Sequence, residues 1–490
     1  MPSSDTLHVY VSSSTGLDGN DGLTAERPKR TLAAAMALLR DNHPDWLHIR
    51  RGDEFASLGD WWRSGRSATE PMVVTTYGAA PQRPLFMCGV LSGLTVHSVP
   101  IHDVAFVGLH LVADAYDGSN GDPYGVSILL PSARVLFEDC RIERFFTNLR
   151  FQGAHTDLRV RRCVICDAFT TGAGHPQGIY ADGVDGCLIE ECVFDHNGWR
   201  PEVAGAVATI FRHNIYMQGN TAHVVIRGNV IARAGSHGLQ ARSGGDIRAN
   251  LFFGNPINML VGNNIQNNGA VTAQVVGNVM MEGRDIDERE RRGWAAQFQC
   301  LESGEVAYNV AAHQHGGTGP RSYVFDSTLG VGVKSVDCHH NVAYRWGAPM
   351  LIVGKRFAGF VLRDNDLQEF GTSALLLADK QDTAMGFVST GNRLYSDAPP
   401  PQWMFYDQQY MSLEKWRLAV TDTTSTAVRV EYPHAELTLA DYDLATGGSG
   451  AAEDFLARAR AQSRANWDSM LVGTNVAAVF RANFGMVIPD

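Results

Sequence analysis

Through the middle of the chain, apolar and polar residues alternate in short runs bounded by Gly, Asn and Asp, with no sustained helical spacing. That pattern predicts short strands, each with one buried face, joined by tight turns. One slot recurs from residue 137 onward: an apolar residue, two mostly polar residues, then Cys or Asn. It reads Phe137-Glu-Asp-Cys140, Val160-Arg-Arg-Cys163, Ile189-Glu-Glu-Cys192, Ile226-Arg-Gly-Asn229, Ile247-Arg-Ala-Asn250 and Val275-Val-Gly-Asn278. Val306-Ala-Tyr-Asn309, Cys338-His-His-Asn341 and Leu362-Arg-Asp-Asn365 follow, and Asn392 is a weaker last copy. Slot residues are 21 to 37 positions apart. An irregular period of this size means stacked units with loops of variable length. No amphipathic helix fits between copies, which excludes βαβ units and leucine-rich repeats. The fold class predicted is all-β: a parallel β-helix, or solenoid, of short strands. Asn side chains stacked at one turn can hydrogen-bond along the coil, and Cys in the same slot is a buried stacking residue.

The ends read differently. Residues 31–42 are rich in helix formers and predict an N-terminal cap helix over the first exposed rung. Residues 451–470 predict a helical appendage at the C-terminal end. The expected organisation is a cap and first rungs over 1–90, a β-helix catalytic domain over 91–400, and an extension over 401–490.

The opening, from Val9-Tyr-Val-Ser-Ser-Ser-Thr-Gly through Asp18-Gly-Asn-Asp-Gly to Arg30-Thr-Leu, resembles the entry of right-handed parallel β-helix proteins of the pectate-lyase-like superfamily. The resemblance implies right-handed coiling, an extracellular or cell-surface location and action on polysaccharides. That superfamily holds lyases, hydrolases, epimerases and phage tailspikes, so fold and reaction are separate questions.

Composition narrows the partners. With 44% hydrophobic and 19% charged residues among 490, the chain is an ordinary globular one. A net charge of −11 disfavours a general nucleic-acid binder. No apolar run is long enough for a membrane span, and the first residues lack the pattern of a signal peptide. Cys163 and Cys166 have CxxC spacing, but Cys187 and Cys192 do not complete a zinc set. No metal or cofactor is expected from the motifs, although Asp182, Asp185 and Asp195 could form a calcium site.

Four segments align: Gln177–Gly183, His213–Gly219, His237–Ser243 and Ile257–Asn263. Their alternation places Ile179, Ile215, Leu239 and Met259 in one inward column, and Ala181, Met217, Ala241 and Val261 in the next. The outward columns are then Tyr180, Tyr216, Gln240, Leu260 and Asp182, Gln218, Arg242, Gly262. Rungs lie about 4.8 Å apart, so Tyr216, Gln218, Gln240 and Arg242 form a patch about one sugar wide. His213 and His237 stack at the entrance of the strand. By parity they face inward unless the turn redirects them.

Such a set suits abstraction of the C5 proton of a uronic acid. Arg242 would neutralise the carboxylate, with Gln218 and Gln240 adding donors. His213 or His237 would be the base, and Tyr216 would protonate the leaving oxygen. The segment also looks similar to mannuronan C5-epimerases. There, His213 would match a first strand histidine, His237-Gly-Leu a second, and Arg242 their arginine. Here Arg212 and Asn214 stand where acidic residues flank the first histidine, and Arg242 falls one residue early.

The expected function is therefore a lyase acting by β-elimination on an acidic polysaccharide or oligosaccharide. The alternatives are a hydrolase of the same fold, tailspike-like included, and a glycan-binding β-helix without catalysis. A hydrolase needs two carboxyl groups across one bond, for which Asp182 with Asp185, Asp195 or Glu202 are the candidates. Tyr180, Asp182, Asn214, Gln218 and Gln240 are candidate substrate-binding residues. Trp199 on one loop, and Arg292 and Trp294 in the charged insertion 282–294, could grip an anionic sugar chain as well. The mixed, polar outward faces favour a monomer over a trimer.

Overall fold

The computed structural model describes residues 2–263, 271–371, 374–381 and 383–488. It divides into two compact units. One comprises Met1–Val207, Thr221–His223 and Arg460–Asp468; the other comprises Ala208–Asn220, Val224–Ala459 and Ser469–Asp490.

In the first unit, His8–Val11 pairs in parallel with Trp46–Arg50, which pairs with Met72–Tyr77 and then His102–Val107. Ala133–Glu138, Thr147–Arg161 and Ile179–Glu190 continue this ladder. A second ladder runs through Leu85–Met87, His110–Val112, Arg141–Glu143, Val164–Cys166 and Val193–Asp195. Parallel strands arranged in successive coils are a β-helix. The cap helix is a single short piece, Leu32–Met36, with Thr31 accepting a hydrogen bond from Ala34 N and Ala35 fully buried. It ends well short of residue 42, with Ala37 as its C-cap, and Asn42 beyond it adopts a left-handed conformation.

The second unit repeats the plan. Ile215–Met217, His237–Ala241, Ile257–Val261, Trp294–Gln299, Arg321–Asp326 and Ala348–Val353 pair in parallel, each with the next. The ladder continues through Leu376–Ala378 to Met404–Tyr406, where Gln409–Met411 adds antiparallel and ends it. The helix Leu413–Ala419 then covers that end, its Trp416 buried edge-on against Tyr406. An otherwise open strand edge is thereby blunted. Among the described residues, no helix is long and apolar enough to cross a membrane.

The recurring slot forms a continuous interior ladder in the second unit. Each Asn side chain donates Nδ2 to the Oδ1 of the next: Asn229 to Asn250, Asn250 to Asn278, Asn278 to Asn309, Asn309 to Asn341, Asn341 to Asn365 and Asn365 to Asn392, all at 2.9–3.0 Å. Cys140, Cys163 and Cys192 fill the slot in the first unit, where Cys163 Sγ accepts from Cys140 N and Cys192 Sγ from Cys163 N, both at 3.4 Å. The residue before each slot has positive φ, whether Gly228 and Gly277 or Asp139, Arg162, Glu191, Ala249 and Tyr308. This left-handed step turns the chain so that the Asn or Cys points inward. All eight cysteines are buried, and none is in a disulfide.

The predicted helix over 451–470 is realised as Ala452–Arg460 only. A further helix, Gly473–Asn483, lies against Leu251–Asn255 and Val279–Gly283. Gly473 permits this approach, since a Cβ there would stand 2.2 Å from Asn229 O.

Candidate functional site

In the second unit the alternation places side chains as expected. Ile215, Leu239, Met259, Ala296 and Tyr323 form one interior column, none more than 1% exposed. Tyr216, Gln240, Leu260, Gln297 and Val324 form the outward column beside it, by the same register.

His213 lies two residues before its strand begins, outside the ladder, so its ring is not bound by the strand's parity. It packs edge-on against both Tyr216 and His237, with centroids at 5.3 and 4.7 Å. With its amide oriented as the surrounding donors require, Gln240 donates to His213 Nε2 at 2.8 Å. Its oxygen accepts from Arg242 Nε at 3.0 Å and Nη2 at 2.7 Å. The Arg242 guanidinium also reaches the Tyr216 hydroxyl. His213, Tyr216, His237, Gln240 and Arg242 therefore make one connected cluster.

His213 Nε2 accepts from Gln240. His213 Nδ1 lies 3.2 Å from His237 Nδ1 and 3.4 Å from the His237 backbone N–H, and Ser236 Oγ lies 2.8 Å from His237 Nδ1. Burial, and after it the charges of Arg242 and Arg292, push His237 down to about 3. The ring is neutral across the ordinary pH range.

Arg242 is the unusual member. Burial lowers its pKa from the ordinary value. Among the described residues no carboxylate pairs with it, and its Nη1 is buried without a hydrogen-bond partner. A half-buried guanidinium without a counter-ion is disfavoured by its partial loss of water, which an arriving anion would offset.

The other candidates fall elsewhere. Asn214 is fully buried; its Nδ2 donates to Ala232 O at 2.7 Å and lies 3.5 Å from Asn255 Oδ1. It belongs to an interior ladder and offers a ligand no surface, which corrects its assignment to substrate binding. Gln218 is half-buried, one residue beyond Met217 as Arg242 is beyond Ala241. Tyr180, Asp182 and Trp199 belong to the first unit. There the Tyr180 hydroxyl is 3.4 Å from Asp182 Oδ2, and Trp199 packs on His196 at 4.4 Å. Arg292 and Trp294 sit in the second unit, the guanidinium 5.3 Å from the ring centroid.

The three aspartates considered for calcium do not converge. Asp185 pairs with His223, and Asp195, fully buried, pairs with Arg460. Glu202 pairs with Arg200 at 3.4 Å. The group of metal-ligating type found among the described residues is Glu143, Cys166 and Asp167. The Arg460 guanidinium occupies it, 3.3 Å from Cys166 Sγ and bonded to Asp167. Sequence reasoning missed Ser236, which holds His237, and Arg321, which follows Trp294 in register. The signal for Arg321 was the strand alternation of Arg321–Asp326, hidden by the long insertion before it.

A family model described as a right handed beta helix region matches residues 119–280. No curated protein sequence matches the chain. Among solved structures, the chain is similar to a lacto-N-biosidase from Eubacterium ramulus, at 12% identity and TM-score 0.34 over 86% of this chain and 67% of that one. It is similar to a rhamnogalacturonan lyase at 12% identity and TM-score 0.36, over 76% and 82%. An alginate lyase from Paenibacillus sp. str. FPU-7 has 14% identity and TM-score 0.37, over 65% and 97%. At these scores the likeness bears on no residue's role. The parallel ladders and the family model together make this chain a right-handed parallel β-helix protein.

Proposed function

We propose that the protein is a polysaccharide lyase that cleaves a uronate-containing chain by β-elimination at the cluster around Arg242. The observation that supports this most is the half-buried Arg242 guanidinium, its Nη1 buried and without a partner, held against Tyr216 and Gln240. A substrate carboxylate would supply the missing anion. As the C5 proton leaves, charge grows on that carboxylate, and a fixed guanidinium stabilises the developing charge more than the starting one.

The hydrogen-bond pattern shifts the expected roles. His213 and His237 contact each other and, through His213 Nε2, Gln240, so they orient Gln240 and Arg242. Tyr216, beside the guanidinium, is the group that exchanges a proton with the sugar. The positive neighbour favours the phenolate, which takes the C5 proton. The phenol so formed can return a proton to the leaving glycosidic oxygen. A hydrolase mechanism would need two carboxylates here, and among the described residues none pairs with Arg242. An extracellular or cell-surface setting fits such a substrate.

Incubation with a panel of polyuronates tests the proposal. New ultraviolet absorbance of an unsaturated uronate is expected. New reducing ends without that absorbance would make the protein a hydrolase, and retention of the polymer without cleavage would make it a binder.

A further inference from the structure

The second unit carries another group of cations that the β-elimination centre does not use. Trp294 and Arg321 are register partners on adjacent strands. The guanidiniums of Arg292 and Arg321 lie 5.3 and 5.0 Å from the Trp294 ring centroid. Like charges placed this close repel, and the indole ring offsets part of that repulsion. Glu290 pairs with Arg292 at 3.1 Å. Among the described residues, the Arg321 side chain has no ion pair and no hydrogen bond, and Arg292 Nε is buried without a partner.

The surrounding backbone holds this arrangement in place. Asp285 accepts from Arg292 N at 2.6 Å and from Thr318 N and Oγ1, tying two loops together. Trp294 Nε1 donates to Gly319 O at 3.1 Å, and Arg321 N to Gly293 O at 3.3 Å. Gly317 approaches so closely that a Cβ would stand 2.5 Å from Gly293 Cα. His237, Ile257, Trp294 and Arg321 share one register column where their strands begin, and the charge of Arg292 acts on His237.

We infer that Arg292 and Arg321, spaced by Trp294, form a second carboxylate-binding subsite, so that the substrate is a polymer bearing carboxylates on more than one sugar. Trp294 thus acts as a holder of cations and not as a platform for a sugar ring. The subsite lies two to three rungs, roughly 10–14 Å, along the coil from His237. The inference rests on the lyase reading for the reaction but not for the binding. Burial, and then Arg292, hold the Arg321 pKa below its ordinary value, in keeping with a charge that lacks its anion.

The test compares wild type with Arg321→Gln and Arg321→Lys on a fully carboxylated polyuronate and on a short oligomer with one carboxylate. Arg321→Gln should raise KM on the polymer roughly tenfold, the scale of one charge-assisted contact, with kcat nearly unchanged. Arg321→Lys should recover part of the loss, and neither variant should change KM on the oligomer or the thermal midpoint. An unchanged polymer KM in Arg321→Gln overturns the inference. If wild type cleaves nothing, electrophoresis through gels containing polyuronate separates the two readings. Weaker retardation of Arg321→Gln keeps the subsite while the lyase reading falls, and equal retardation removes both. Weaker retardation that appears equally in dextran sulfate means a general polyanion surface and also overturns the inference.

Discussion

Arg242 and its neighbours carry the predictions at the scale of single residues. Arg242→Lys keeps a charge but loses the planar fork that holds Gln240 and reaches Tyr216. Turnover on a polyuronate should fall roughly 10²-fold or more, the scale of losing one transition-state donor. The thermal midpoint should barely move, because no core packing is removed. Tyr216→Phe separates the two assignments of the proton-transfer step. If Tyr216 exchanges the proton, turnover is abolished in Tyr216→Phe and only reduced in His213→Gln; the reverse result makes a histidine the base. His237 adds a pH signature. Its pKa is about 3 in the folded chain against 6.5 ordinarily. As pH falls from about 6.5 toward 3, the unfolded chain takes up a proton that the native chain refuses, so stability declines over that window. His237→Gln should flatten this part of the acid limb, measured by urea unfolding at several pH values.

At the scale of the element, the Asn ladder is the main determinant of the coil's regularity. Asn278 donates Nδ2 to Ile247 O and to Asn309 Oδ1, and its own Oδ1 accepts from Asn250 N and Nδ2. All of these groups are buried. Asn278→Ala leaves Ile247 O, Asn309 Oδ1 and the Asn250 donors each short of a partner. Each buried polar group left unpaired costs about 1–3 kcal/mol. The variant should lose at least about 2 kcal/mol in chemical denaturation, well beyond the effect of a surface substitution. The Cys slots of the first unit behave differently. The Cys163 thiol accepts only a weak hydrogen bond, from Cys140 N at 3.4 Å, so Cys163→Ala should cost less than Asn278→Ala.

At the scale of the whole molecule, the end of the chain matters to the first unit, to which residues 460–468 belong. Burial works against the Arg460 charge, but Cys166, Asp167 and Asp195 hold its pKa above the ordinary value. Its Nη1 is 3.0 Å from the fully buried Asp195. Beyond it, Arg83 donates to Gln462 O at 2.9 Å and Arg464 N to Asp139 Oδ1 at 2.9 Å. Removing one partner of a buried pair leaves the other charge uncompensated, at a cost of about 3–5 kcal/mol. Arg460→Ala should therefore lower the thermal midpoint and open residues 460–468 to limited proteolysis. Protection equal to wild type would show that the arm is held by its backbone contacts alone.

The coil was legible in the sequence because its causes are local and repeated. Alternation sets the faces of a strand, and a slot recurring as Ile226-Arg-Gly-Asn229 and Val275-Val-Gly-Asn278 marks the same turn in successive rungs. The same periodicity placed Tyr216, Gln240 and Arg242 on adjacent outward positions. Three things lay beyond it. The left-handed step before each slot is taken by Asp139, Ala249 and Tyr308 as well as by Gly228, so residue type did not announce it. The orientation of His213 depends on the turn before its strand, where parity no longer applies, and the buried place of Asn214 depends on Asn255 far along the chain. Arg321 and Arg460 acquire their surroundings from segments separated by long insertions or by most of the chain. Strand periodicity is a property of neighbouring residues, whereas the charge balance of a buried cation depends on everything packed around it, and only the folded coil brings those groups together.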